Sequence, residues 1–131
     1  MRGLEEICER GRLLRVDASE ADGDVDAVGF VFEEACFVVL VEPDDDSVDC
    51  RLLTAEQYSA WAERDGVGPD ARWADCVGES LSWVWALQNQ NGYEDAVQLY
   101  FCSGRTLQLM AAASAFSLHE VTRLPARPRT E

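Results

Sequence analysis

Residues 79–102 read ESLSWVWALQNQNGYEDAVQLYFC, and this stretch decides the fold. Leu81, Trp83, Trp85 and Leu87 alternate with Ser82, Val84, Ala86 and Gln88, the period of two that marks a strand with one apolar face. Asn91-Gly92 marks a turn, because both residues tolerate positive φ. Beyond it Val97, Leu99 and Phe101 alternate with Gln98, Tyr100 and Cys102, so the stretch is a hairpin. A two-residue loop would oppose Trp85 to Gln98 and Trp83 to Tyr100, giving the tryptophans a mixed polar neighbourhood. One more residue in the loop opposes Trp83 to Phe101, Trp85 to Leu99 and Leu87 to Val97, and gathers the large apolar side chains on one face. This second register is the expectation, with an odd-length or bulged loop. A doubly buried hairpin in the first register is the alternative.

Downstream, Ser103-Gly104-Arg105 turns into a strand over 106–113, which pairs Phe101 with Leu107, Leu99 with Leu109 and Val97 with Ala111. Ser114 breaks or bends the chain before a last strand over 116–121. Upstream, strands are expected over 12–17, 27–33, 35–42 and 48–53. The third of these carries Phe37, Val38, Val39, Leu40 and Val41 in succession, so both of its faces should be covered. The polar segment 18–26 reads as a loop, and 33–35 is a poor turn. A helix over 54–64 has good signals: Thr54 and Gln57 form a capping box, Leu53 and Tyr58 a hydrophobic staple, and Tyr58, Trp61 and Ala62 an inner face with Ala55. Leu4, Ile7 and Cys8 suit a short N-terminal helix. Residues 71–77 are ambiguous, since Trp73 and Val77 are helically spaced but Gly78 stops the run. The tail 124–131, with Pro125 and Pro128, is expected to fray, leaving 1–123 as one globular domain. The fold class is α+β, mainly β: an antiparallel meander of seven or eight strands, forming a twisted sheet or open barrel with one central helix and the short N-terminal one.

The chain has 131 residues, 47% of them hydrophobic, enough for a core. The longest apolar run, 36–41, is strand-sized rather than membrane-spanning. The opening residues lack the apolar segment of a signal peptide, so a cytoplasmic location is expected. The five cysteines are scattered and never spaced as C-x-x-C, which favours reduced thiols over disulfides or zinc. All 11 basic residues are arginine, against 25 acids, a net charge of −14. The acidity is uneven: residues 1–79 hold 21 acids and 7 arginines, whereas residues 80–131 hold 4 of each. Such a chain is a poor partner for nucleic acid or an anionic membrane and a good one for a basic protein. Acidity also serves solubility alone.

Several constellations carry chemistry in outline. Asp22, Asp24 and Asp26, with Glu33 at the twelfth position, match part of a calcium loop, but Ala27 stands where that loop needs glycine, and a strand follows. Asp44, Asp45, Asp46 and Asp49 cluster at a hairpin tip, where they suit either a solvated turn or an arginine-rich partner. His119 is the one histidine; Ser117 shares its strand face and Glu120 does not, so no triad is expected. The loop 89–95 offers Asn89, Asn91, Tyr93, Glu94 and Asp95 as ligand-binding groups, or as groups that hydrogen-bond the loop to itself. No catalytic residue, metal site or cofactor motif emerges.

Residues 85–101, WALQNQNGYEDAVQLYF, resemble a family of small bacterial proteins of unknown function with a W-x-L-x-N-x-x-G-Y-x-D signature before a strand. Ala113-Ser114-Ala115 and the strand beyond fit the same likeness. The resemblance covers the last third of the chain well and the rest loosely, implies a bacterial cytosolic protein, and supplies no activity. In size and charge the chain is also similar to the immunity proteins of toxin systems. Three functions stay open: a non-enzymatic binding protein, such as an immunity-type inhibitor whose acidic aspartates engage a basic toxin; a small-molecule-binding or enzymatic domain at residues 89–95; and an oligomerising module joined through strand edges.

Overall fold

In a computed structural model, which describes residues 6, 8, 10–42, 44–112 and 115–121, the described residues fold as a curled sheet with one α-helix packed on its outer side. The strands are β1 (Leu13–Ala21), β2 (Asp24–Phe32), β3 (Cys36–Glu42), β4 (Ser47–Leu53), the two-residue β5 (Gly68–Pro69), β6 (Leu81–Gln88), β7 (Glu94–Phe101), β8 (Thr106–Ala112) and β9 (Ala115–Val121). Helix α1 (Ala55–Arg64) follows β4, and a 3-10 helix (Ala71–Cys76) occupies the ambiguous segment. The expected N-terminal helix lies almost wholly outside the described residues, as do Ser114 and the tail.

All the pairings are antiparallel, and seven strands follow one path, β4-β3-β2-β9-β8-β7-β6, curled into a half-barrel. β2 joins the two parts. Along one edge it pairs with β1; along the other it pairs with β3 over residues 27–31 and, among the described residues, touches β9 only at Val25↔Phe116. At the far side, an isolated bridge between Arg12 and Ser80 brings the start of β1 beside the start of β6. The inside of the curl is one apolar core. Phe30 stacks on Phe37 at 4.7 Å, Trp73 meets Phe30 edge-on at 4.9 Å, and Val97, Leu99, Phe101, Leu107 and Leu109 close it from the other part.

The opposite face of β2 and β3 carries a second cluster, in which Ala27, Cys36 and Val38 pack against Tyr58 and Trp61 of α1. The continuous apolar run of β3 is therefore covered on both sides. The capping box is formed: Thr54 Oγ1 accepts from Gln57 N at 3.1 Å, and Gln57 Oε1 accepts from Thr54 N at 2.9 Å. Tyr58 and Trp61 are buried and Ala62 half-buried, whereas Ala55 is exposed.

Two expectations are overturned. Residues 18–26 are not a loop. β1 continues to Ala21, and a two-residue turn with positive φ at Asp22 (54°) and Gly23 (85°) leads directly into β2, a geometry that suits the twist of a hairpin. Charge there reflects solvated outer positions rather than missing strand structure. The tryptophan register is also reversed. Trp83 pairs with Tyr100, Trp85 with Gln98 and Leu87 with Ala96, and both indoles point outward. An irregularity between Leu81 and Trp83 lets Leu81 and Val84 both face the core, opposite Phe101 and Leu99. One extra residue in a strand moves every later side chain to the other face, so the alternation that begins at Leu81 does not carry through. β7 and β8 pair two residues away from expectation, Leu99 with Leu107 and Val97 with Leu109, a shift that preserves the face.

Candidate functional site

β2 runs antiparallel to both β1 and β3, so the β1–β2 turn and the β3–β4 turn lie at the same end of the sheet. The first hairpin brings Glu20, Asp22, Asp24 and Asp26 there, all exposed. The second brings Glu42 with the sequence-derived candidates Asp44, Asp45, Asp46 and Asp49. Asp44 and Asp45 are exposed, while Asp46 and Asp49 are half-buried. Asp46 turns the chain at φ 55° and donates its N–H to the Glu42 carbonyl at 2.9 Å. Asp45 Oδ1 accepts from Ser47 N at 2.9 Å, and hydrogen bonds from Ser47 hold its carboxyl below the usual carboxylate range. Arg51 answers part of this charge, with Nε 2.8 Å from Asp49 and Nη2 3.8 Å from Glu42. Among the described residues no group of three or more His, Cys, Asp or Glu side chains is arranged to hold a metal ion.

The loop 89–95 closes on itself. Asn89 Oδ1 accepts from Asn91 N at 2.9 Å and Tyr93 N at 3.2 Å, Asn89 N donates to the Tyr93 carbonyl at 2.9 Å, and Gly92 takes φ 84°. Asn91 and Tyr93 are exposed, while Glu94 and Asp95 are half-buried at the start of β7. Two clefts open elsewhere. One, of about 570 Å³, lies between the β1–β2 turn and residues 66–72. There Arg72 Nη2 meets Asp70 Oδ2 at 2.7 Å; burial pushes the Asp70 carboxyl up, but its bonds from Arg72 outweigh that and hold it below the usual range. The other, of about 490 Å³, lies between α1 and the outer side of β3 and β4, with an apolar floor of Val38, Leu40, Leu53 and Trp61 beside Arg51 and Arg64.

Three features were missed from sequence. Asp17 is buried, with 8% of its surface exposed, and its Oδ2 accepts from Tyr58 Oη at 2.8 Å and Arg15 Nε at 3.0 Å. Burial first, then Asp17, push the Tyr58 phenol above the usual tyrosine range. Gly29 lies directly under α1, where a Cβ would meet both Tyr58 and Trp61; a glycine amid bulky strand residues was the signal available. The third is the outer face of β6–β9. Three rows cross it: Trp83, Tyr100, Thr106 and Val121; Trp85, Gln98, Gln108 and His119; Leu87, Ala96, Met110 and Ser117. None of these residues is an acid or an arginine. His119 Nε2 lies 2.8 Å from Ser117 Oγ, and Glu120 instead accepts from Arg105 Nη1 at 3.2 Å, so no acid backs the histidine from its own strand.

The described residues form a small curled antiparallel half-barrel with helix α1 docked on its outer side. The chain belongs to a family of unknown function, DUF6334, whose model matches residues 5–124. No curated protein and no solved structure was found to match it.

Proposed function

We propose that the protein is a non-enzymatic binding module whose acidic end engages a basic protein, as an immunity-type inhibitor engages a basic toxin. The observation that carries this reading is the convergence of two acidic hairpin turns, Asp22 to Asp26 and Glu42 to Asp49, at one end of the sheet, with Arg51 already paired inside the second. Such a concentration of one sign speeds encounter with a partner of the other sign and makes binding salt-sensitive. Asp44, Asp45, Asp46 and Asp49 are the contacts on this reading. The cytoplasm is the compartment it takes, since Cys36, Cys50, Cys76 and Cys102 carry free thiols. Among the described residues, no helix is long and apolar enough to cross a membrane.

The test is affinity capture from host extract at low and high salt, with the wild-type chain and a variant carrying Asp44→Asn, Asp45→Asn, Asp46→Asn and Asp49→Asn. A basic protein retained at low salt, released at high salt and lost with the variant is the expected result. A partner that the variant retains equally at every ionic strength would overturn these contacts.

A further inference from the structure

We infer that the outer face of β6–β9 is a self-association surface, across which two copies of this chain pack face to face. On β6, Trp83 and Trp85 leave 47% and 41% of their surface exposed, and on the same sheet face Met110 of β8 and Val121 of β9 are exposed too. Adjacent exposed indoles are unusual on a monomer surface, and the centre of a protein interface is enriched in Trp, Tyr and Met and depleted in charge.

Charge selects the occupant. Each copy carries a net −14, so two copies repel through most of their surface. The three rows across β6–β9 bring no acid or arginine into contact, so two chains can meet there without opposing like charges. A basic partner would gain nothing electrostatically from this face and is drawn to the acidic end instead. The polar groups present also suit a two-fold arrangement, in which each patch meets its own copy. Tyr100, Gln98, Gln108 and Thr106 each supply a donor and an acceptor, so each can pair with the same residue or a neighbour in the other copy.

The size is adequate. Four strands about 4.8 Å apart, crossed by three rows about 6.8 Å apart, cover a plan area of roughly 19 by 20 Å. Side-chain relief raises the accessible area of such a patch to roughly 600–800 Å², close to the ~800 Å² per partner of a standard interface. Packed in this way, the faces of the two copies would form a sandwich with the sheets about 10 Å apart.

The experiment is sedimentation velocity on the full chain over a wide range of concentration, with tryptophan emission followed in parallel. The wild type is expected to pass from monomer to dimer as concentration rises, with the emission shifting to the blue as Trp83 and Trp85 leave water. Gln98→Glu and, separately, Thr106→Glu each place two like charges in the contact, and each should raise the dissociation constant at least about tenfold, since like charges across an interface cost several kcal/mol. Neither variant should move the urea midpoint of the monomer appreciably, which separates loss of contact from loss of fold. A monomer at every concentration overturns the inference. So does a dimer whose dissociation constant neither substitution changes, because that dimer would be held through a strand edge.

Discussion

Replacing Gly29 by alanine adds one methyl group at the place where α1 rests on the sheet. In an unobstructed strand the change would stabilise by about 0.5–1 kcal/mol, because alanine loses less conformational freedom on folding. Under α1, the new Cβ would lie 2.7 Å from Trp61 Cζ3 and from Tyr58 Cε2, and nearer still to Tyr58 Oη. Carbon atoms in contact sit about 3.5–4 Å apart, so the helix must lift by roughly 1 Å. Neither ring can swing clear, since both are buried against Ala27, Cys36 and Val38. Lifting Tyr58 also stretches its 2.8 Å bond to Asp17. Overpacking costs about 1–3 kcal/mol, and a buried carboxylate deprived of a donor about as much again. The two overlap, so a net loss of about 2–4 kcal/mol is expected once the intrinsic gain is set against them. For a chain of this length that lowers Tm by roughly 8–15 °C. Urea unfolding followed by tryptophan fluorescence measures it. The same substitution in a Tyr58→Ala background should cost at least about 1 kcal/mol less, because the tyrosine's share of the obstruction is gone and only Trp61 still meets the new Cβ. A midpoint for Gly29→Ala equal to that of the wild type, or an equal loss in both backgrounds, refutes the seating of α1 on Gly29.

Thr54→Ala removes one half of the capping box and should lower stability by about 1 kcal/mol with the m-value unchanged in the same assay. The four tryptophans should divide sharply: Trp73→Ala is expected to cost about 3–5 kcal/mol, whereas Trp85→Ser should stay within about 0.5 kcal/mol in the monomer, and equal losses would contradict the outward register of β6. Stability should fall in alkali. Burial and then Asp49 push the Cys50 thiol from 9.0 up to about 12, and burial and then Glu79 push Cys76 up to about 11. The unfolded chain releases both protons first, so stability is intact below about pH 9 and declines through about pH 12, by up to about 1.4 kcal/mol per pH unit for each thiol. Cys50→Ala removes its share of that slope, and a urea midpoint constant from about pH 8 to about pH 11 would count against it.

What the sequence disclosed depends on how local the governing physics is. The cap at Thr54 is complete within four residues, and it is present. The apolar run of β3 could only be a strand covered on both faces, and α1 and the core do cover it. The phase of β6 was not legible, because a one-residue irregularity near Ser82 leaves no trace in a pattern where Trp and Leu alternate with small residues. The strand content of 18–26 was hidden by charge, since Glu20, Asp24 and Asp26 lie on outer positions that tolerate any soluble side chain. The acidic residues were visible as a composition, but their meeting at one end depends on strand direction. The Asp17–Tyr58 bond joins residues 41 apart in sequence and has no local signature at all.

Among the described residues β2 and β9 share one backbone bridge, at Val25↔Phe116, and this has a thermal consequence. Within each part of the curl, adjacent strands share ladders of hydrogen bonds. Between the parts, that bridge and the one at Arg12 and Ser80 leave most of the work to side-chain packing around Phe30, Trp73 and Leu99. Apolar packing weakens on cooling, whereas hydrogen-bonded ladders do not follow the same course. Cold should therefore loosen the docking of the two parts before it frays either ladder. Amide exchange near 0 °C would then report the joint opening at Val25 and Phe116 while the amides in the middle of β3 and β7 stay protected.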